Sequence, residues 1–288
     1  VSKKAEQRLA EAIFLKAEGL SESGNAAAAG DEYYRMALTT PSVEFADRAL
    51  FNAAREYERS GNYESAIRAY ELLWSSYGGS SLLTDALNNL AYDYGEIGAY
   101  DKGGRVYAAM AELLKEDPEA RNAWYNAWLF YSRAGAWEEA INVGWQYAER
   151  YPDAEEAPAI YLQTAQHALQ LNQPEKSLSI YEDFITRFPD SPQAVEANYR
   201  IGLYYQDRGP REKASQAFSR AHEKSQTLKE SGMSANPYFA AEALFRNTEM
   251  LRERFKAIAF RQPQTAINQA KSEKERLLRR LERQYTEV

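Results

Sequence analysis

The feature that most constrains the fold of this chain is an internal period of about 37 residues, which three independent series of positions share. Small residues form the first series: Gly30, Ala66, Gly103, Ala140, Ser177 and Ala214. Large residues dominate the second: Ile13, Leu50, Leu87, Trp124, Tyr161 and Asn198. Turn-forming residues make up the third: Gly61, Gly98, Gly135, Asn172 and Gly209. Such a period predicts a repeat architecture, in which each unit buries its apolar face by stacking on its neighbours.

Each unit has the pattern of two amphipathic helices joined by a short turn. In the fourth unit the first helix would present one apolar face, with the spacing i, i+3, i+4, i+7, made of Trp124, Ala127, Trp128 and Tyr131. Gly135 favours the end of that helix, and a second apolar run begins at Trp137. Pro152 ends the second helix, because proline cannot continue a helix. The first unit is the exception, and its run Ala26–Ala29 predicts a degenerate turn.

The order of residues within the units resembles the tetratricopeptide repeat (TPR) family over about residues 10–225. The sixth unit carries Ile201-Gly202, Tyr205, Gly209, Ala214, Phe218 and Ala221. The second carries Ala53-Ala54, Tyr57, Gly61, Tyr63, Ala66 and Tyr70. The resemblance implies an all-α fold, a right-handed α-solenoid of stacked helix-turn-helix repeats with a C-terminal helical extension.

The repeat pattern stops after Ala221, which predicts a different C-terminal part. Turn signals stand at Ser231-Gly232 and Asn236-Pro237, helix is predicted over 240–260, and Gln262-Pro263 separates it from a last helix over 264–285. We therefore expect a TPR solenoid of about six repeats in residues 1–228. Residues 229–288 would form a degenerate seventh repeat and a basic C-terminal helix.

Composition excludes several classes of protein. The chain has no cysteine, so disulfides and thiolate metal sites are excluded. Its mean hydropathy is −0.65 and it has no long uncharged apolar run, so no membrane span is predicted. It begins with Val1, so we expect a processed product or an excised segment, before which a signal peptide or lipid anchor could have stood.

Catalytic motifs are not found in the sequence. The two histidines, His167 and His222, lie far apart, and His167 is interpreted as a partly exposed structural residue. No pair of histidines has a metal-binding spacing, and no glycine-rich phosphate loop follows a predicted strand. The sequence therefore predicts a protein that is not an enzyme and has neither a metal site nor a cofactor.

One face of the first helices carries a ladder of candidate partner-binding residues. In the TPR family the first helices line a concave groove, and the resemblance implies that this face points into it. The ladder positions are Phe51, Asn88, Tyr125, Leu162, Tyr199 and Phe245, and one turn further Arg55, Tyr92, Leu129, Gln166, Leu203 and Glu249. The amides of Asn52, Asn89 and Asn126 lie beside them. We expect this groove to bind a partner protein or peptide. In the alternative interpretation, the ladder packs neighbouring first helices or lies under the C-terminal helix.

Charge is distributed unevenly along the chain. Residues 246–288 hold 11 Lys and Arg against 6 Asp and Glu, whereas residues 1–245 hold 24 against 36, which together give the net charge of −7. The basic candidates for contact in the C-terminal helix are Lys271, Lys274, Arg279, Arg280 and Arg283. Glutamates interleave with them, so an exposed face with local ion pairs, or docking on an acidic surface, is predicted rather than nucleic-acid binding.

The turns between units indicate which branch of the TPR family the chain resembles. The segments 187–194 and 150–154 hold Phe-Pro-Asp-Ser-Pro and Tyr-Pro-Asp-Ala, and they resemble TPR proteins of the bacterial envelope. Those include the Tol–Pal coordinator and the lipoprotein of the outer-membrane barrel-assembly machine. The resemblance implies a periplasmic or outer-membrane-associated scaffold. Two alternatives stay open: a cytoplasmic TPR adaptor, and a structural segment of a larger machine without a groove ligand. The oligomeric state is left open.

Overall fold

The computed structural model describes residues 2–115 and 117–287, and Val1 lies outside them. Over this part of the chain there are fourteen α-helices and no β-strand, so the predicted all-α fold is confirmed. The chain divides into two compact units, Val1–Tyr147 (unit 1) and Ala148–Val288 (unit 2).

Unit 1 contains three complete helix pairs and most of a fourth. Its helices are α1 (Lys3–Glu22), α2 (Ala26–Thr39), α3 (Ala46–Arg59), α4 (Tyr63–Ser76), α5 (Leu83–Glu96), α6 (Tyr100–Leu114), α7 (Glu119–Ala134) and α8 (Trp137–Arg150), whose last three residues belong to unit 2. Each helix from α1 to α6 packs against the next one along the chain. This is the predicted arrangement of stacked helix-turn-helix repeats.

The turns within the pairs of unit 1 depend on glycine. Gly61, Gly98 and Gly135 adopt positive φ angles of 74°, 76° and 70°, a backbone conformation that glycine takes without steric cost. Gly24 does the same with φ of 82°, and α2 begins two residues later. The predicted degenerate turn of the first unit is therefore wrong. Gly24 lies one period before Gly61, so the glycine series extends to the first repeat.

The small-residue series lets aromatic rings approach the second helices closely. A Cβ atom added to Gly30 would lie 2.8 Å from the Tyr57 ring, and one added to Gly103 would lie 2.6 Å from the Phe130 ring. Phe130 in turn packs edge-on against Tyr100 and Tyr107, with ring centroids 5.6 and 5.1 Å away. These repeat positions are small because an aromatic ring of the following first helix occupies the space.

Unit 2 contains three further helix pairs. Its helices are α9 (Ala157–Gln170), α10 (Pro174–Arg187), α11 (Gln193–Arg208), α12 (Arg211–Glu230), α13 (Pro237–Ala257) and α14 (Gln264–Glu287). Each packs against the next, and α11 also contacts α9 and α13. The breaks lie where the turn signals predicted them, around 231–236 and 258–263. The predicted domain boundary after residue 228 falls in the last turn of α12 and stays a prediction.

The core of unit 2 is continuous along its helices. Phe218 is fully buried and lies over Gly202, where an added Cβ atom would come within 2.5 Å of the ring. Leu251 of α13 packs with Leu277 and Leu281 of α14. The thin apolar stripe of the last helix is therefore the surface that attaches it to α13. His167 in α9 is buried rather than partly exposed, and burial lowers the pKa of its imidazole.

Candidate partner-binding surface

The ladder positions of unit 1 lie on α3, α5 and α7 with unequal exposure. Tyr92 is the most open aromatic residue among them, with 54% of its surface exposed. Asn88, one turn before it on α5, and Arg55 on α3 are exposed as well. The half-buried positions are Phe51, Asn89, Tyr125, Asn126 and Leu129. The centre of this face therefore offers an aromatic ring beside a side-chain amide.

Two of the half-buried aromatic residues are partly engaged in packing. The Phe51 ring meets the Tyr70 ring edge-on with centroids 5.8 Å apart. Tyr125 packs against Trp128 at 5.9 Å and Tyr147 at 6.5 Å. Each ring keeps part of its surface open. Its contacts with the aromatic rings beneath it hold it in place.

The asparagine beside the ladder on α5 has an internal partner. Asn89 donates its side-chain amide to the Tyr70 hydroxyl at 3.0 Å, and that hydroxyl donates to Glu58 at 2.9 Å. One donor of the Asn89 amide is thus used within the protein. The repeat pattern alone did not indicate this contact, because it crosses between helices of different repeats.

Asp93 is a residue that the sequence interpretation missed. It follows Tyr92 on α5, is 0% exposed, and neither of its carboxyl oxygens has a hydrogen-bond partner in the part of the chain that the structure describes. Burial raises the pKa of this carboxyl to about 8, with a further rise from Glu58 and Glu96 and an opposing effect of Arg55. The sequence did contain a signal for the burial of this carboxyl, because Asp93 stands three residues after Leu90 on the apolar stripe of α5.

At neutral pH the Asp93 carboxyl therefore keeps its proton. A neutral carboxylic acid is compatible with a buried position, whereas an unpaired carboxylate there would carry a large desolvation cost. Glu58, which accepts from Tyr70, and the exposed Glu96 add acidic charge around it. The face around Tyr92 is thus acidic at its edge, where Glu58 and Glu96 lie, and uncharged beneath, where the protonated Asp93 is buried.

The ladder positions of unit 2 are mostly taken up by packing. Leu162 and Tyr199 are only 4% and 6% exposed. The Tyr199 ring lies 5.4 Å from Phe239 and 5.9 Å from Phe218, and its hydroxyl accepts a hydrogen bond from Arg246 at 3.2 Å. For these two residues the geometry favours the interhelical packing of the alternative interpretation.

Two more ladder residues of unit 2 are half-buried. Gln166 of α9 donates to Glu196 of α11 at 3.4 Å. Leu203 of α11 keeps part of its side chain open. Phe245 of α13 is the widely exposed aromatic side chain among the predicted ladder residues of unit 2, with 52% of its surface open.

The basic candidates of α14 divide into two sets. Lys274 stacks on Phe255 and Phe260, with its Nζ 4.9 and 5.3 Å from the ring centroids, and Arg280 donates to Ser219 at 3.3 Å. The other candidates, Lys271, Arg279 and Arg283, are exposed. The first set helps to hold α14 in place, and the second set is open to solvent.

Neither a metal centre nor a membrane span is found in residues 2–115 and 117–287. No group of three or more His, Asp or Glu side chains there is placed to hold a metal ion. No helix in the same residues combines the length and the apolar character needed to cross a membrane.

Comparisons with known proteins identify one repeat by sequence. A model of the tetratricopeptide repeat matches residues 159–191, which cover most of α9 and all of α10, so the predicted resemblance to this family is confirmed for that repeat. No curated protein sequence matches the chain.

Solved structures with similar folds include other repeat proteins. One is the MamA protein, which is 19% identical over 62% of this chain and 96% of its own, with a TM-score of 0.38. Another is a tetratricopeptide repeat protein from Parabacteroides merdae, 15% identical over 92% of this chain and 98% of its own, with a TM-score of 0.38. Both TM-scores are below 0.5, so the fold assignment rests on the helix pairs of this chain and on the matched repeat.

Proposed function

We propose that this chain is a non-catalytic scaffold that binds a partner protein or peptide on the first-helix face of unit 1. Tyr92 is the observation that carries the proposal, because it is a large aromatic ring held half in solvent on a packed helix face. Aromatic side chains of this kind contribute disproportionately to the energy of protein interfaces. Asn88 and Arg55 supply polar contacts around it.

A protein partner is favoured over nucleic acid by the charge of this unit. Residues 1–147 contain 14 Lys and Arg against 22 Asp and Glu. Phosphate groups would be repelled by such a surface, since nucleic-acid affinity depends on cations that replace the counterions of the backbone. We expect the partner segment to be neutral or basic where it meets Glu58 and Glu96.

The experiment uses a photo-crosslinking residue at position 55 as a reporter in native cells. If the surface binds a partner, a cross-linked adduct forms, and Tyr92→Ala reduces its yield at least tenfold. Trp145→Ala is the matched control, because Trp145 is an exposed aromatic residue of α8, a second helix of the same unit. Its adduct yield stays at the wild-type level.

Equal yields in both variants, or no adduct at position 55, would instead support a structural segment without a groove ligand. Leu162 and Tyr199 favour that second function for unit 2, because their side chains are used in packing.

We further propose that the protein works in the bacterial envelope, in the periplasm or at the outer membrane. The Phe-Pro-Asp-Ser-Pro turn at 188–192 supports this through its resemblance to envelope TPR proteins. Fractionation of cells that express the full-length gene is the test. Recovery with periplasmic or outer-membrane markers is expected, and recovery with cytoplasmic markers would replace this proposal by the cytoplasmic adaptor.

A further inference from the structure

A basic stretch of unit 2 surrounds the turn between α13 and α14. Residues 254–272 contain four Lys and Arg and no Asp or Glu, although acidic residues outnumber basic ones in the chain as a whole. We call this stretch the α13–α14 tip, and its cations are Arg254, Lys256, Arg261 and Lys271. The tip therefore supplies four of the five net positive charges of residues 246–288.

Three of the four cations are not neutralised within the protein. Arg254 pairs with Glu273 of α14 at 2.5 Å. Lys256, Arg261 and Lys271 are exposed, and none of them has an ion pair in the part of the chain that the structure describes. Their charges are therefore available to an anionic surface outside the protein.

Apolar side chains stand among these cations. Phe260 has 55% of its surface exposed, and Ala257 and Ala259 are exposed beside it. Phe255 and Ile258 are partly buried and pack against the leucine cluster of α13 and α14. The α13–α14 tip thus presents an open aromatic ring on a turn that its neighbours attach to the core.

Lys274 of α14 holds the Phe260 ring close to the basic side chains. Its Nζ lies 5.3 Å from the centroid of that ring and 4.9 Å from the centroid of Phe255. An exposed aromatic ring among basic side chains is typical of protein surfaces that lie in the membrane interface. There the ring enters the headgroup layer, and the cations are attracted by anionic lipids.

We propose that the α13–α14 tip docks on a bilayer containing anionic lipids, with Phe260 inserted among the headgroups and Lys256, Arg261 and Lys271 near their phosphates. A bilayer offers an anionic layer directly above an apolar one, so it satisfies the cations and the ring together. An acidic protein segment would satisfy the cations alone. The proposal goes beyond the partner-binding function, which concerns unit 1, and does not depend on it.

Co-sedimentation of the full chain with lipid vesicles tests the proposal. Vesicles of phosphatidylcholine with about one third phosphatidylglycerol should bind the chain at least tenfold more tightly than vesicles of phosphatidylcholine alone, because a negative surface potential attracts the tip. The preference should decrease as the salt concentration rises. Equal binding to both vesicles, or no binding to either, would overturn the proposal.

The triple variant Lys256→Gln/Arg261→Gln/Lys271→Gln tests whether the tip is the contact. A basic residue near an anionic bilayer strengthens binding about fivefold, so the affinity for the anionic vesicles should fall on the order of 100-fold. Wild-type affinity in this variant would overturn the proposal.

A matched control removes the same charge from exposed positions elsewhere in unit 2, with Lys176→Gln/Arg220→Gln/Lys229→Gln. Its affinity should stay within about twofold of the wild type, because salt screens charges that lie away from the contact. An equal loss in both triple variants would mean that overall charge, and not the tip, attracts the vesicles, which overturns the proposal.

Insertion of the tip can be followed with a polarity-sensitive dye, because the chain has no cysteine of its own. We expect the dye on Ala259→Cys to shift to the blue with anionic vesicles, and Phe260→Ala to reduce that shift. The dye on Ser234→Cys, in the turn at the other end of α13, should not respond. Vesicle binding without a shift at position 259, or binding to polyglutamate but to neither vesicle, would overturn the proposal, and the second result would indicate an acidic protein instead.

Discussion

The side-chain amide of Asn89 donates a hydrogen bond to the hydroxyl of Tyr70 at 3.0 Å. Tyr70 belongs to α4 and its hydroxyl donates a hydrogen bond to Glu58 of α3, so a single buried hydroxyl connects α3, α4 and α5. The contact joins two successive repeats of unit 1. It also lies directly beneath the exposed face proposed to bind a partner.

Tyr70→Phe should destabilise unit 1 by about 1–2 kcal/mol, because Asn89 and Glu58 lose a shared partner in a buried place. Urea unfolding followed by tryptophan fluorescence and circular dichroism measures the effect. Tyr107→Phe is the matched control one repeat later, since no hydrogen bond of the Tyr107 hydroxyl is found in the described residues. An equal loss in both variants would mean that ring packing, and not the hydroxyl, explains the change.

Asp93 predicts a specific pH dependence of stability. Its folded pKa of about 8 lies far above the unfolded value near 3.9, so between these values the folded chain holds a proton that the unfolded chain has released. The free energy of unfolding of unit 1 should therefore fall as the pH rises from about 4 to 8, by at most about 1.4 kcal/mol per pH unit, and level off above.

Asp93→Asn should remove this fall, because the amide does not ionise. The variant is expected to be more stable than the wild type at pH 9, and urea midpoints at pH 5, 7 and 9 give the comparison. Asp85→Asn, an exposed substitution on the same helix, should keep the wild-type slope. A wild-type slope in Asp93→Asn would show that another group is responsible.

Replacing each of two helical glycines by alanine should change the stability of the protein in opposite directions. Gly202→Ala places a Cβ atom 2.5 Å from the Phe218 ring, and we expect it to destabilise unit 2 by about 1–3 kcal/mol. Gly19→Ala meets no atom within 4 Å and should stabilise α1 by up to about 1 kcal/mol. Thermal unfolding monitored by circular dichroism separates the two, and a shift of the same sign in both would contradict the packing argument.

The attachment of α14 can be tested with two leucines of that helix. Leu281 is buried against α13, and Leu281→Ala should cost about 2–5 kcal/mol of local stability. Hydrogen exchange should then become faster throughout α14. Leu278→Ala, at an exposed position of the same helix, should leave the exchange nearly unchanged. Equal exchange rates in both variants would mean that Lys274 and Arg280, rather than the apolar stripe, hold the helix.

Helix boundaries and turns were largely predictable, because they depend on local chemistry. Glycines at positive φ, from Gly24 to Gly135, fix the turns of the first four pairs, and Asn172 takes the same place in the fifth with φ of 55°. The breaks at Ser231-Gly232 and Gln262-Pro263 separate the helices where they were expected. Backbone conformation at glycine and proline depends little on distant residues, so these signals survive in the folded protein.

The candidate surface was less predictable, because residues at one repeat position differ in exposure. Asn88 is open, Tyr125 is half-buried and Tyr199 is buried, although they stand at the same place in the third, fourth and sixth repeats. Tyr199 is covered by Phe239 and Arg246 of α13, whose place beside α11 follows from packing between helices far apart in sequence. Asp93 likewise owes its raised pKa first to burial and then to Glu58, which belongs to another repeat.

The sequence by itself therefore determined the all-α repeat, its turns and the list of side chains that share the first-helix face. Periodicity is a property of one helix and its immediate neighbours, so it can be read without coordinates. Only the tertiary structure decided that Tyr92 stays open while Tyr199 is covered, and that the Asp93 carboxyl is buried without a hydrogen-bond partner among the described residues. Exposure and cavities are set by how side chains of separate helices fill the space between them, which no single helix specifies.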